Sequence, residues 1–365
     1  MSTRAARPEC DSVRLMSRRA WSMAGRLAAS LACGLAALGS AACGTGARSA
    51  TAATQLPTTA TTTVTRTATA TTTATTTATV TLPGAGKPPV MIGDENTSEQ
   101  FLLGQLYYQA LKAQGFQVTL NQNIGPTQVV MQALATGQLA MYPEYLDTWN
   151  TQVAGNQRTY RTRAGAYLAG QHYALGHGLE LLNPTPFSDT GAIAVSFYYA
   201  VQNQVQSIPD LIQVSGGLTL GGPPQFGQSP TGLSAIESTY GMVPAAFKPL
   251  EIGAQYQALD QGAVQAAVVN TTDPQLLTGS YPLLHDPEDV FGWGNVVPVA
   301  SARALEAEGP EFAATINRVS ALLTLPAIRE LNAAVVLYGQ DPATAAQEFL
   351  QAQGILPPPQ PGSGG

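Results

Sequence analysis

The stretch VMIGDENTSEQFLLGQLYYQALKAQGFQVTL, residues 90–120, decides the fold class. Val90-Met91-Ile92 is a short apolar run of strand-forming character, and a polar loop from Gly93 to Ser98 follows it. Apolar residues then recur at helical spacing, with Leu103, Leu106 or Tyr107, Ala110 and Leu111 on one face. Ser98 is the expected N-cap and Gly115 the expected stop. Val118-Thr119-Leu120 reads as a second strand. Strand, helix and strand in alternation argue an α/β fold.

The alternation continues outward. A helix is expected over 128–135, stopped by Gly137, then a strand over 139–142 that Pro143 should break. Further strands are expected over 192–195, 218–220, 266–269 and 296–299, with helices over 232–240 and 256–262. The last third reads as helices over 310–323, 327–338 and 342–353, the last opened by Asp341-Pro342, a cap followed by a first-turn proline. In such sheets ligands bind beyond the C-terminal strand ends. That directs attention to the loops 94–100, 142–148, 221–226 and 270–273.

The N-terminal region is of a different kind. Arg4, Arg7, Arg14, Arg18, Arg19 and Arg26 precede a small, apolar run over 27–42, the pattern of a signal peptide spanning 1–42. Ser17-Arg18-Arg19-Ala20-Trp21 weakly resembles a twin-arginine export motif. Ser40-Ala41-Ala42-Cys43-Gly44 resembles a lipobox, with Ser40 where a leucine is usual. Cys43 is therefore the expected lipidation site and would anchor the chain to the outer face of the cell membrane. Residues 43–87 form a Thr/Ala-rich linker that cannot bury a core, and the Pro/Gly-rich tail 357–365 is expected to be loose as well. The folded part is expected over 88–356.

Beyond Lys87 the chain carries eight basic and 21 acidic residues, a formal charge of −13. So acidic a body repels phosphate backbones, which excludes a nucleic-acid partner and suits a cationic or zwitterionic one. The three cysteines, Cys10, Cys33 and Cys43, all precede the folded part. His172 and His177 are five apart, off the four-residue spacing that shares a helix face. No Gly-rich phosphate loop and no Gly-x-Ser-x-Gly elbow occurs. Neither a metal, a cofactor nor an enzymatic activity is expected; a cleft with a few rings and fixed polar groups would suffice for binding.

Six segments together carry a family resemblance. Ile92-Gly93-Asp94-Glu95-Asn96-Thr97-Ser98-Glu99-Gln100, the helix through Leu106-Tyr107 to Gly115, Leu139-Ala140-Met141-Tyr142-Pro143-Glu144-Tyr145, Leu182 to Thr190, Leu220-Gly221-Gly222-Pro223-Pro224-Gln225-Phe226, and Phe291-Gly292-Trp293-Gly294-Asn295-Val296-Val297-Pro298-Val299 resemble the binding proteins of ABC-type glycine betaine/choline importers. The resemblance implies a type II periplasmic-binding-protein fold: two α/β lobes joined by a two-crossover hinge near Thr190 and Val296. One lobe would span 88–191 and 297–356, the other 192–296. It also implies a quaternary ammonium held in an aromatic cage by cation–π attraction, and an ABC permease as partner. Gln100 and Tyr145 are the best-matched ligand positions. Asp147 is a candidate counter-charge and Trp293 a candidate cage face. Asn270, Thr271 and Asp273 follow a strand, Asp189 adjoins a crossover, and Phe226 and Tyr256 are further aromatic candidates.

The departures matter too. The family's Thr-Gly after Glu-Tyr is Leu146-Asp147, and two family tyrosines are Gly191 and Gly294. The expected function is an exported, lipid-anchored solute-binding protein for glycine betaine, choline or a related ammonium. The alternatives are a same-fold binder of another small polar solute, or a surface sensor or scavenger without a permease.

Overall fold

A computed structural model of the chain describes residues 81–229 and 232–358. The expected signal peptide, Cys43, the linker up to residue 80 and the tail from 359 lie outside the described residues.

The opening reads as expected. β1 (Val90–Gly93) leads into α1 (Ser98–Ala113) and returns as β2 (Val118–Asn121), parallel to β1 with Ile92 opposite Leu120. The cap is Thr97, one residue before the expected Ser98; its hydroxyl accepts from the Gln100 N–H at 3.4 Å. Gly115 ends the turn after α1 at φ +82°, a conformation that disfavours any side chain. α2 (Thr127–Ala135) then carries the chain to β3 (Met141–Tyr145).

β3 corrects one expectation. It does not break at Pro143 but runs through it, antiparallel to β9 (Val296–Ser301), with Pro143 directly opposite Pro298. The ladder bonds fall on the alternate pairs: Leu146 N donates to Asn295 O at 3.0 Å and Ser301 N to Ala140 O at 2.9 Å. Two residues without an N–H therefore meet where neither needs one.

The first sheet has the order β2-β1-β3-β9-β4, in which β4 (Leu179–Leu181) is antiparallel to β9. The chain leaves it after β4 and builds a second sheet, β5-β8-β6-β7, from β5 (Gly191–Val195), β6 (Thr219–Gly222), β7 (Ala246–Pro249) and β8 (Ala266–Asn270). It then returns to insert β9 between β3 and β4. Two crossings, β4 to β5 and β8 to β9, thus join the sheets. β4 and β7 went unforeseen. β4 is three residues long, and β7 is an exposed edge closed by Lys248 and Pro249, residues that blunt an edge and disguise a strand.

Both faces of each sheet are covered, as mainly parallel sheets require. On the first sheet α1 packs against α5 (Pro310–Leu322) and α7 (Pro342–Ala352), burying Leu102, Leu103, Leu106, Phe312, Ile316 and Phe349. Across that interface the Tyr107 and Ser320 hydroxyls bond at 2.9 Å. The opposite face packs Tyr142, Val297 and Val299 on Trp149 and on Ala166 and Ala174 of α3 (Arg163–Gly176). In the second sheet alternate residues of β5 and β8 face opposite ways: Ile193, Val195, Ala266 and Val268 in one cluster with Ile236 of α4 (Leu233–Tyr240), Ala192, Ala194, Ala267 and Val269 in the other. The expected 327–338 helix begins earlier, as α6 (Leu325–Asn332), and loosens into a π turn over Ala333–Leu337.

Candidate functional site

The crossings are bound closely to each other. Ser188 bridges Asn295 in antiparallel fashion, Asp189 N donates to Gly294 O at 2.9 Å, and Gly294 N donates to Ser188 Oγ at 2.9 Å. The Asn295 amide donates to the Thr185 and Phe187 carbonyls at 2.9 and 2.8 Å. Thr271, just past β8, ties in as well: its hydroxyl donates to Ser188 O at 2.6 Å and accepts from Thr190 N at 3.0 Å.

Against this junction the ends of β1, β3 and β8 bring together a group of buried acids. Glu99, in the first turn of α1, accepts from the Tyr145 hydroxyl at 2.9 Å and from Asn332 Nδ2 at 2.7 Å. The same Asn332 nitrogen donates to Thr272 O at 3.1 Å, so one amide joins α1, the loop after β8 and α6. Glu144 accepts from its neighbour's N–H, Tyr145 N, at 2.6 Å and from the Tyr142 hydroxyl at 3.1 Å. Asp273 accepts from the Tyr256 hydroxyl at 2.7 Å and from Asn270 N at 3.1 Å.

Burial pushes the carboxyls of Glu95, Glu99, Glu144, Asp147, Asp189 and Asp273 above their usual range. Next to burial, the neighbouring Glu95 charge raises Glu144 and the Glu99 charge raises Asp189. Against these acids stands Arg329, whose Nε donates to Thr271 O at 2.7 Å and whose charge reaches Asp273. The cluster is thus short of positive charge. Gln100 lies fully buried beside it, and neither atom of its amide has a protein partner. One Asp189 carboxylate oxygen is likewise without a partner. Unpaired buried polar groups are costly and call for an explanation.

Next to the cluster a cavity of about 550 Å³ opens between the 147–160 segment and the 290–293 segment. Asp147, Asn150, Tyr160, Phe291 and Trp293 line it, with Tyr160 and Trp293 packed on the core of the first sheet and Phe291 on that of the second, and Arg158 stands among the lining residues. One Asp147 oxygen accepts from Thr148 N at 2.8 Å. Trp293 is fixed by its indole N–H, which donates to Tyr160 O at 2.8 Å.

The two departures acquire a physical cause here. A Cβ on Gly191 would lie 2.7 Å from the Phe291 ring, and a Cβ on Gly294 would lie 1.8 Å from the Asp189 carbonyl oxygen. A Phe291 ring therefore fills the space over Gly191, while at Gly294 the crossings approach too closely for any side chain.

Of the sequence-expected residues, Asp147 and Trp293 line the cavity. Tyr145, Asp189 and Asp273 belong to the acid cluster, and Tyr256 joins it through Asp273. Thr271 is engaged in binding the crossings together, and the Asn270 side chain faces solvent. Phe226 sits in the core of the second sheet, stacked between Phe247 and Phe291 at 6.3 Å from each, so that it backs a cavity-lining ring. Sequence reasoning missed Glu99, Glu144, Asn332, Phe291 and Tyr160. Three of these, Glu99, Glu144 and Phe291, stand inside the quoted motifs.

Comparisons with known proteins agree with this geometry. Residues 88–352 match the family model described as the substrate binding domain of ABC-type glycine betaine transport system. A glycine-betaine-binding protein of Pseudomonas aeruginosa is 28% identical over 286 residues, covering 75% of this chain and 91% of the relative. The glycine betaine-binding protein YehZ of Escherichia coli is 26% identical over 296 residues, covering 75% and 93%. Among solved structures, a glycine betaine/carnitine/choline ABC transporter protein superposes with a TM-score of 0.68 at 22% identity, covering 73% of this chain and 99% of that one. Apo YehZ of Escherichia coli superposes with a TM-score of 0.65 at 26% identity, with the same coverage. The expected type II architecture is thereby established.

Proposed function

We propose, since the chain belongs to the family of substrate-binding domains of ABC-type glycine betaine transport systems, that it binds a quaternary ammonium compound outside the membrane and delivers it to an ABC permease. The observation that carries this reading is the cavity in which the Asp147 carboxyl and the Phe291 and Trp293 rings are gathered. A trimethylammonium group is attracted to aromatic faces by roughly 0.5–2 kcal/mol per ring. The shortage of positive charge among the buried acids favours a ligand that brings a cation. Gln100, Tyr145 and Asp189 complete the site in this reading, each offering a polar group to ligand or to bound water. Asp273, Tyr256 and Thr271 hold the wall behind it; Asn270 and Phe226 contribute through their neighbours.

In the same reading residues 1–42 direct export, and a lipid on Cys43 holds the mature chain at the outer face of the membrane. The basic leader and the small residues before the cysteine support this. Lobes divided near 191 and 296 belong to this reading, and the starts of β5 and β9 there support it. A second reading, a larger polar solute, draws on the amide-rich cavity wall of Asn150, Gln152 and Asn156.

Titration calorimetry with glycine betaine, choline and carnitine tests the proposal. Binding of at least one is expected, with Asp147→Asn weakening the tightest by roughly 3- to 30-fold, about 0.7–2 kcal/mol. Absence of binding by all three at millimolar concentration would sink the ammonium reading and leave the larger solute.

A further inference from the structure

A second groove, of about 430 Å³, carries Thr159 and Arg161 on one wall and Glu288, Asp289 and Val290 on the other. Thr159 and Val290 also line the main cavity, so the groove is its outer continuation. The two walls ride on different sheets. Thr162 caps α3 by accepting from Gly165 N at 3.1 Å, and α3 buries Ala166 and Ala174 in the core of the first sheet. The acidic loop is attached to the second sheet: Leu284 N donates to Ile193 O at 2.8 Å, and Val290 and Phe291 pack on that sheet's core.

The charge placement is uneven. Of the eight basic residues beyond Lys87, three fall within six positions, at Arg158, Arg161 and Arg163. All three are exposed. Opposite Arg161 the loop is held in shape by its own bonds. Asp286 accepts from the Tyr240 hydroxyl and, at 3.2 Å, from Phe291 N, while Glu288 N donates to the Tyr240 oxygen at 2.8 Å. Asp289 is set at φ +51°, in the left-handed region. Asp286 is held by these bonds, while Glu288 and Asp289 line the groove, with the His285 charge also acting on Asp289.

We propose that Arg161 and the Glu288–Asp289 pair form an ionic latch across the mouth of the cleft, drawing the walls of the two sheets together as the cavity closes. The latch goes beyond the ligand reading and holds whatever solute the cavity takes. Its strength comes from exposed charges, so salt weakens it: at about 0.15 M the screening length is already close to 8 Å.

Amide exchange read by mass spectrometry on the full, ligand-free chain tests it, in peptides covering 147–160 and 286–293. Arg161→Glu and Glu288→Lys should each speed exchange in these peptides about 3- to 10-fold at roughly 20 mM salt. The double variant should return part of the way toward the natural chain, since one opposite-charge contact is restored in reverse while Asp289 still opposes the carboxylate introduced at position 161. At about 0.5 M salt the single variants should match the natural chain. A double variant no better than the singles, or a single-variant effect that survives high salt, overturns the latch. Added glycine betaine, slowing exchange in the same peptides, reports separately on the ligand reading; its failure to do so leaves the charge-reversal result standing.

Discussion

Replacing Gly294 by alanine should cost more stability than any other single methyl added to the chain's crossings. A Cβ there would sit 1.8 Å from the Asp189 carbonyl oxygen and 2.8 Å from its carbon, whereas ordinary contact begins near 3.4 Å. Both offending atoms are backbone, so no side chain can swing away. The crossings must part by more than an ångström, which breaks the Asp189 N to Gly294 O and Gly294 N to Ser188 Oγ bonds, each 2.9 Å long. At about 1 kcal/mol per bond, with further loss where Asn295 is displaced, the cost is about 3 kcal/mol. For a domain of this size that lowers Tm by roughly 6–12 °C. Gly292→Ala is the control. Its Cβ meets nothing within 4 Å, and only its φ of +75° is unfavourable, so roughly 1 kcal/mol is expected. Thermal unfolding followed by circular dichroism measures both. If Gly294→Ala melts within about 2 °C of the natural chain, or no lower than Gly292→Ala, the close approach of the crossings is wrong.

Burial pushes the Asp94 carboxyl from 3.8 up to about 7. A raised carboxyl pKa contributes stability fully below the unfolded value and loses it as pH climbs through the folded one. The natural chain should therefore melt at falling temperature between pH 4 and pH 8, and Asp94→Asn, which keeps an acceptor for Asn123 N, should flatten that slope; parallel Tm–pH curves would contradict it. Asn332→Asp would place a further carboxyl against Glu99 in place of its amide donor. Urea denaturation should show a loss of roughly 2–4 kcal/mol, greater at pH 8 than at pH 5, and equal losses at both would speak against the buried acid pair.

The strand–helix–strand opening was legible because its apolar residues recur at regular spacing and its turns carry recognisable stops. The two-sheet plan came through the quoted motifs, with β5 and β9 starting at Gly191 and Val296, near the expected crossovers. β4 and β7 escaped because three or four residues at a sheet margin carry too little periodicity to register. Pro143 misled because its effect depends on which residue stands opposite, and that residue, Pro298, lies 155 positions later. The acid cluster was hidden for a related reason. Composition makes acids surface residues, and nothing near Glu99 in sequence announces Asn332, 233 positions away. Gly191 and Gly294 looked like missing rings; a Phe291 ring brought over Gly191 and a backbone contact at Gly294 are facts of three-dimensional proximity.

The late arrival of β9 has a consequence for how the molecule is made. Its partner strands β3 and β4 are complete by Leu181, yet the strand that belongs between them begins only at Val296. A ribosome adding roughly 5–20 residues per second leaves that gap open for about 6–23 s. Throughout that interval the half-made sheet offers the unpaired Tyr142 and Glu144 amides to any passing strand. A nascent chain of this design gains from an escort that keeps it unfolded until its last third has been translated.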